Sequence, residues 1–160
     1  MRIDGMAADL LAASRSADLA QIVASRAAEA LGGFGAYFGA VDLKRRVLQT
    51  RAIHGFNPCT AAPGELDLDG EIPASHVART GRPLVIVGPT EYAAVFPDFW
   101  NQVGRHSKSR AFVYVPVLAS GHTPATIGVL GVSFDQERQA TADDVAVLEA
   151  VARFASRTIT

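Results

Sequence analysis

The side chains able to do chemistry in this 160-residue sequence are few and scattered. Its single cysteine, Cys59, excludes an internal disulfide framework and a multi-cysteine zinc site. His54, His122 and Cys59 show no metal-ligand spacing, which leaves a zinc centre unsupported. Ser120-Gly121-His122 sets a serine beside a histidine in a turn, yet no third partner for a triad is indicated. Asp67 with Asp69, and Asp143 with Asp144, are close acidic pairs that loop solvation and helix capping explain. The glycines between Ile127 and Phe134 lie inside a strand pattern, the wrong context for a phosphate cradle at a helix start. Arg79, Arg82, Arg105, Lys108 and Arg110 give the middle of the chain a basic tilt, read as a solvated face or as the rim of an anion site. Nothing here assembles a catalytic constellation, so the expectation is a protein that is not an enzyme.

Composition narrows the class further. The chain is 49% apolar and 19% charged, with 15 basic and 16 acidic residues, the balance of one domain with a full core. A net charge of −1 excludes a strongly basic footprint and argues against nucleic acid as a partner. The longest apolar stretch, Ala111 to Ala119, is interrupted by Pro116 and too short to span a membrane. Asp4 and Asp9 break the apolar run that a signal peptide needs. A cytoplasmic location is the expectation.

The elements that must position any site follow from periodicity. Ile3, Met6, Leu10 and Leu11 form one helical stripe, and Leu19, Ile22, Val23, Ala27, Ala30 and Leu31 form a second. Ser14 to Asp18 reads as a break between two helices, with Ser16 as N-cap of the second and Gly32-Gly33 as its end. Phe34–Val41 and Val47–His54 read as a hairpin across the polar Asp42–Arg46. Gly55 to Gly70, rich in proline, glycine and acid, reads as loop. Pro73–Thr80 is a short helix that Gly81 ends, Leu84–Val87 a brief strand, and Tyr92–Val103 a helical segment broken by Pro97. Ala111–Leu118 and Thr126–Phe134 form a second hairpin. Thr141 and Asp144 make a capping box for a last helix from about Ala142 to Arg157. Hairpins without parallel crossovers give an α+β domain on one antiparallel sheet.

Three stretches of the chain together resemble a GAF domain, the small-molecule sensory module of bacterial signalling proteins and phosphodiesterases. The first runs from Gly70 through the helix to Arg79-Thr-Gly-Arg-Pro83 and into Leu84-Val-Ile86. The second pairs Tyr114-Val-Pro-Val-Leu118 with Ile127-Gly-Val-Leu-Gly-Val-Ser-Phe134, and the third is Arg138 to Leu148 at the entry to the last helix. Glu91 to Pro97 resembles GAF modules that accompany histidine kinases and sporulation-type serine/threonine phosphatases. The resemblance covers about Ala17 to Thr158. It implies a single domain, residues 1–15 an N-terminal helix and 17–158 the core. A central sheet of five or six antiparallel strands would carry the terminal helices on one face and a pocket on the other, enclosed by short helices and loops. It also implies dimerisation through the terminal helices and a kinase or phosphatase effector.

Strand alternation assigns the faces. Ala111, Val113, Val115 and Val117 suit helices, whereas Arg110, Phe112 and Tyr114 share the opposite face with Tyr37, making a pocket floor. His76, Tyr92, Phe96, Phe99 and Trp100 supply a lid, and Arg110 is the anchor for an anionic ligand or else a strand-end arginine in solvent. The competing reading is that these rings fill a closed core. The last helix is apolar over a wide arc. Val147, Val151 and Phe154 either pack on the chain's own N-terminal helices or, with Ile3, Met6 and Leu10, make a dimer seam. Within the resembled family, Cys59 alone does not support the disulfide cycle of methionine sulfoxide reduction or, followed by Thr60, bilin attachment. The cyclic-nucleotide signature is absent. His76 and His106 are the candidates for axial ligation should the ligand be haem. The ligand itself stays unknown.

Overall fold

The computed structural model describes residues 3–56, 64–122 and 124–159; the side chains of residues 3–10 and 12–14, and with them Ile3, Met6 and Leu10, lie outside that description, as does Cys59. Helix α1 spans Ile3–Leu31, followed by strands β1 (Gly35–Asp42), β2 (Val47–His54) and β3 (Glu65–Asp67). Helix α2 (Pro73–Thr80), strand β4 (Leu84–Ile86), helices α3 (Pro89–Val95) and α4 (Pro97–Gln102) and a single 3-10 turn (Gly104–His106) form the middle of the chain. Strands β5 (Ala111–Leu118) and β6 (Thr126–Phe134) and helix α5 (Ala142–Ser156) complete it. The six strands form one sheet in the order β3-β2-β1-β6-β5-β4, and every neighbouring pair is antiparallel.

Two expectations are corrected. Ser14 to Asp18 does not break the first helix: α1 runs through Ser16 without interruption. Serine and aspartate cost only a few tenths of a kcal/mol each in an exposed helix interior, so cap-like residues there are a weak stop signal. The segment read wholly as loop contains β3, whose Glu65, Leu66 and Asp67 pair with Gln49, Leu48 and Val47. Arg45–Glu65 and Arg46–Asp69 ion pairs pin that edge.

Alternation along the strands then gives the sheet two apolar faces. On one face, Phe38, Val113, Val115, Val117, Leu130 and Val132 pack beneath α1 and α5. The helices meet this face through Ala24, Ala27, Ala28, Ala152 and Ala155, small side chains that let both axes approach the sheet closely. Helix α1 ends in a left-handed Gly32 whose successor, Gly33, donates to the Ala28 carbonyl, a Schellman closure. Helix α5 begins with the Thr141–Asp144 capping box. Among the described residues no helix is long and apolar enough to cross a membrane.

Candidate functional site

The opposite face of the sheet is not filled solid. A cavity of about 340 Å³ lies between the floor strands and the middle segment of the chain. Its floor is Tyr37 from β1, Ile53 from β2, Phe112 and Tyr114 from β5, and Ser133 from β6. Leu66, Ile72, Pro73 and Ala74 close one end, and Phe56 stands at the β1–β2 side, edge-on to Phe34. The roof is Tyr92 from α3 with Phe99, Gln102 and Val103 from α4, continued by His106, Ser107 and Ser109. The volume and the ring-rich wall with sparse polar groups fall within the range that small-molecule pockets span.

Local sequence explains how the rings are held. Phe112 meets Tyr92 edge-on at 5.0 Å between centroids and Tyr114 edge-on at 5.3 Å, a geometry that aligns ring edges with ring faces. Tyr114 is paired across the sheet with Gly131, and a Cβ built on that glycine would lie 2.5 Å from the tyrosine ring. The ring therefore lies flat on bare backbone. Gly131→Ala is expected to push Tyr114 into the cavity and cost about 1–2 kcal/mol by overpacking. Urea unfolding of the variant reads this directly. Burial pushes the Tyr37 phenol up to about 12, partly offset by the hydroxyl of Thr50, which donates to it at 3.4 Å. Tyr92 and Tyr114 are raised for the same reason. All three phenols stay neutral near pH 7, so none of them serves as a base.

Of the nine residues expected from sequence, Tyr37, Tyr92, Phe99, Phe112 and Tyr114 line the cavity. The other four stand behind its wall. His76 sits edge-on to Phe96 at 5.8 Å, and Phe96 is buried against it. Trp100 buttresses Tyr92 at 5.1 Å from outside. Arg110 precedes the first β5 residue, so strand alternation does not fix where it points. Its guanidinium folds back to donate to the carbonyls of Ser107 (3.1 Å) and Ser109 (3.4 Å), fixing the rim loop from behind. Sequence reasoning missed Ser133, although it alternates with Gly131 on β6. It also missed Gln102, Val103, Ser107 and Ser109, whose short helix end and 3-10 turn carry no periodicity.

The chemistry of the wall is simple. Among the described residues, none of its side chains is a carboxylate, an ammonium or a guanidinium. His106, at the exposed mouth, accepts at Nε2 from Arg105 Nε at 3.2 Å. Among the described residues no group of three or more histidines, cysteines, aspartates or glutamates is clustered to hold a metal ion.

Similarity to known proteins matches this architecture. The chain superposes on the GAF domain of an Acinetobacter phosphoenolpyruvate-protein phosphotransferase with a TM-score of 0.69 at 17% identity, over 90% of this chain and 81% of that one. A GAF domain region of a putative membrane protein from Geobacter sulfurreducens gives 0.76 at 14% identity, over 94% and 96%. A free methionine-R-sulfoxide reductase from Neisseria meningitidis, solved with its substrate, gives 0.68 at 20% identity, over 90% and 77%. At these identities the likeness is one of fold. No curated protein sequence matches the chain significantly. The sequence model of the GAF domain matches residues 13–160, and with the six-stranded sheet this places the chain in the GAF domain family, a fold common in bacterial signalling and sensor proteins.

Proposed function

We propose that this GAF domain is a non-enzymatic sensory module of bacterial signal transduction, cytoplasmic, which binds a small molecule in the cavity and relays occupancy through its terminal helices as a homodimer. The observation that carries the reading is the double duty of β5. Phe112 and Tyr114 face the cavity, while Val113 and Val115, between and beside them, pack in the core under α1 and α5. Close-packed cores transmit small displacements, so a ligand that lifts the floor rings shifts what the helices rest on. For this to act as a switch, the ligand must favour one arrangement of the floor over the other. Tyr37, Tyr92, Phe112 and Tyr114 are the ligand contacts in this reading. His76, Phe96, Trp100 and Arg110 hold the lid and rim.

The homodimer rests on the outer face of the α1–α5 pair. Leu11, Leu19 and Ile22 on α1 are exposed, as are Val147 and Phe154 on α5, with half-buried Val151 between them. Leu11, Leu19 and Ile22 fall within an arc of about 80° at 100° per residue, making one apolar strip. Ile22, Val151 and Phe154 also line a shallow groove between the helices. Two copies meeting on this strip form a four-helix bundle, the natural way to cover two such stripes. Phe154→Glu is expected to weaken self-association about 30-fold or more, as loss of a central aromatic anchor does. Size-exclusion chromatography with light scattering reads it, and an unchanged oligomer places the seam elsewhere.

The same strip favours a second reading, a ligand-free module that dimerises or docks on a histidine kinase or a phosphatase. Native mass spectrometry against the denatured mass separates the two. Retained noncovalent cargo supports sensing, and a clean apo dimer supports the docking module.

A further inference from the structure

The chemistry of the cavity wall identifies the class of ligand, an inference that rests on the sensory reading above. We infer that the site takes an uncharged, single-ring molecule bearing a carbonyl-type acceptor, and that the Ser109 hydroxyl is the donor that recognises the acceptor.

Three observations carry this. First, among the described residues no carboxylate, ammonium or guanidinium lines the cavity, the one imidazole, His106, stands at its exposed mouth, and the two guanidiniums next to the wall in sequence are engaged, Arg105 with His106 and Arg110 with the Ser107 and Ser109 carbonyls. An ion entering this wall would lose its hydration with no opposite charge to replace it. Second, Tyr37, Phe56, Tyr92, Phe99, Phe112 and Tyr114 surround the space, presenting ring faces and edges that favour another flat ring. Third, Ser109 lies in this wall, is only 5% exposed, and its Oγ is the one buried side-chain polar atom without a hydrogen-bond partner among the described residues. Its backbone N–H donates to Ser107 Oγ at 3.1 Å, and its carbonyl accepts from Arg110, so the hydroxyl alone is left over. A buried hydroxyl without a partner is costly, and a ligand acceptor would supply the missing bond.

Benzamide, benzoate and benzylammonium test the inference, because they share one ring and differ in charge. Titration calorimetry of the purified domain is expected to give binding for benzamide and at least about tenfold weaker binding for both ions, the discrimination set by an unpaired buried charge. Ser109→Ala is expected to weaken benzamide about fivefold to tenfold, as loss of one hydrogen bond does. The same variant should melt at an equal or higher temperature, because it removes a hydroxyl that has no partner in the empty protein. Affinity down with stability held marks recognition; a fall in both marks a merely structural serine and overturns the role of Ser109. Tighter binding of either ion overturns the uncharged class while leaving small-molecule sensing intact. No binding of any probe overturns the inference, and the native mass of the same sample then decides the broader reading. Retained cargo keeps that reading, and a clean apo mass removes it.

Discussion

Phe112→Ala is expected to lower the free energy of unfolding by about 3–5 kcal/mol, the range for deleting a buried phenylalanine ring. Phe112 is 2% exposed and touches two of the rings that surround the site, Tyr92 on the roof and Tyr114 on the floor. It also sits on the central sheet while contacting the lid helix α3 through Tyr92. Deleting it joins the vacated space to the existing cavity, and the surroundings have little means to collapse. Tyr114 already rests on Gly131 with no room to sink, and Tyr92 is braced by Trp100 and Phe99. The loss is a large share of a total stability on the order of 10 kcal/mol for a domain of this length. A melting point lower by about 10 °C follows from 2–4 °C per kcal/mol. Phe112→Leu, which keeps most of the volume, should retain more than half of that stability. A change below about 1 kcal/mol for the alanine variant would mean the rings collapse onto one another, and that the cavity has no rigid floor.

How far the sequence foretold this site depends on whether the signal was periodic or local. The faces of β5 were legible because residues 112 and 114 alternate with 113 and 115 inside a strand of eight residues. The α5 capping box and the glycine closures after α1 and α2 were legible because each rests on residue types with one dominant backbone role. Strand β3 was hidden: it offers one apolar residue, Leu66, and owes its place to partners on β2 and to arginines about twenty positions earlier. Arg110 was misread by one step of alternation. The rule holds within a strand, and β5 starts at Ala111. His76 and Trp100 have the aromatic character expected of a lid. Whether such a ring faces the cavity or braces its neighbour depends on how a helix of six to eight residues rolls, and so short a helix has no clear stripe.

Arg138 was visible in the sequence only as the start of the motif preceding α5, yet its position makes it the second large expected effect. Its backbone N–H donates to the Val87 carbonyl at 3.0 Å, immediately before lid helix α3. Its guanidinium donates to the Leu31 carbonyl at the end of α1, meets Asp144 at 3.2 Å in the first turn of α5, and lies 4.3 Å from the centroid of Phe134. One residue thus joins the lid to both terminal helices. The α1 contact neutralises an orphan carbonyl at the negative end of the helix dipole, and the Asp144 contact reinforces a cap. Arg138→Ala is expected to cost about 2–3 kcal/mol, chiefly from the charged hydrogen bond to Leu31. The pH dependence identifies the cause. Asp144 is held below the ordinary carboxylate range, first by the Thr141 backbone N–H and then by Arg138. A depressed acid stabilises the fold above its unfolded value and loses that contribution as pH falls through about 4 and below. Removing Arg138 raises Asp144 back toward its ordinary value, so the variant should show a shallower loss of stability on the acid side. If urea midpoints from pH 7 down to pH 3 fall in parallel for both proteins, the Asp144 contact carries no stability. Hydrogen exchange then gives the functional readout. Benzamide should change protection in the last turn of α1 in the wild type and change it less in Arg138→Ala, because the variant keeps the β5 route beneath the helices and loses the side-chain contacts that join the lid to them.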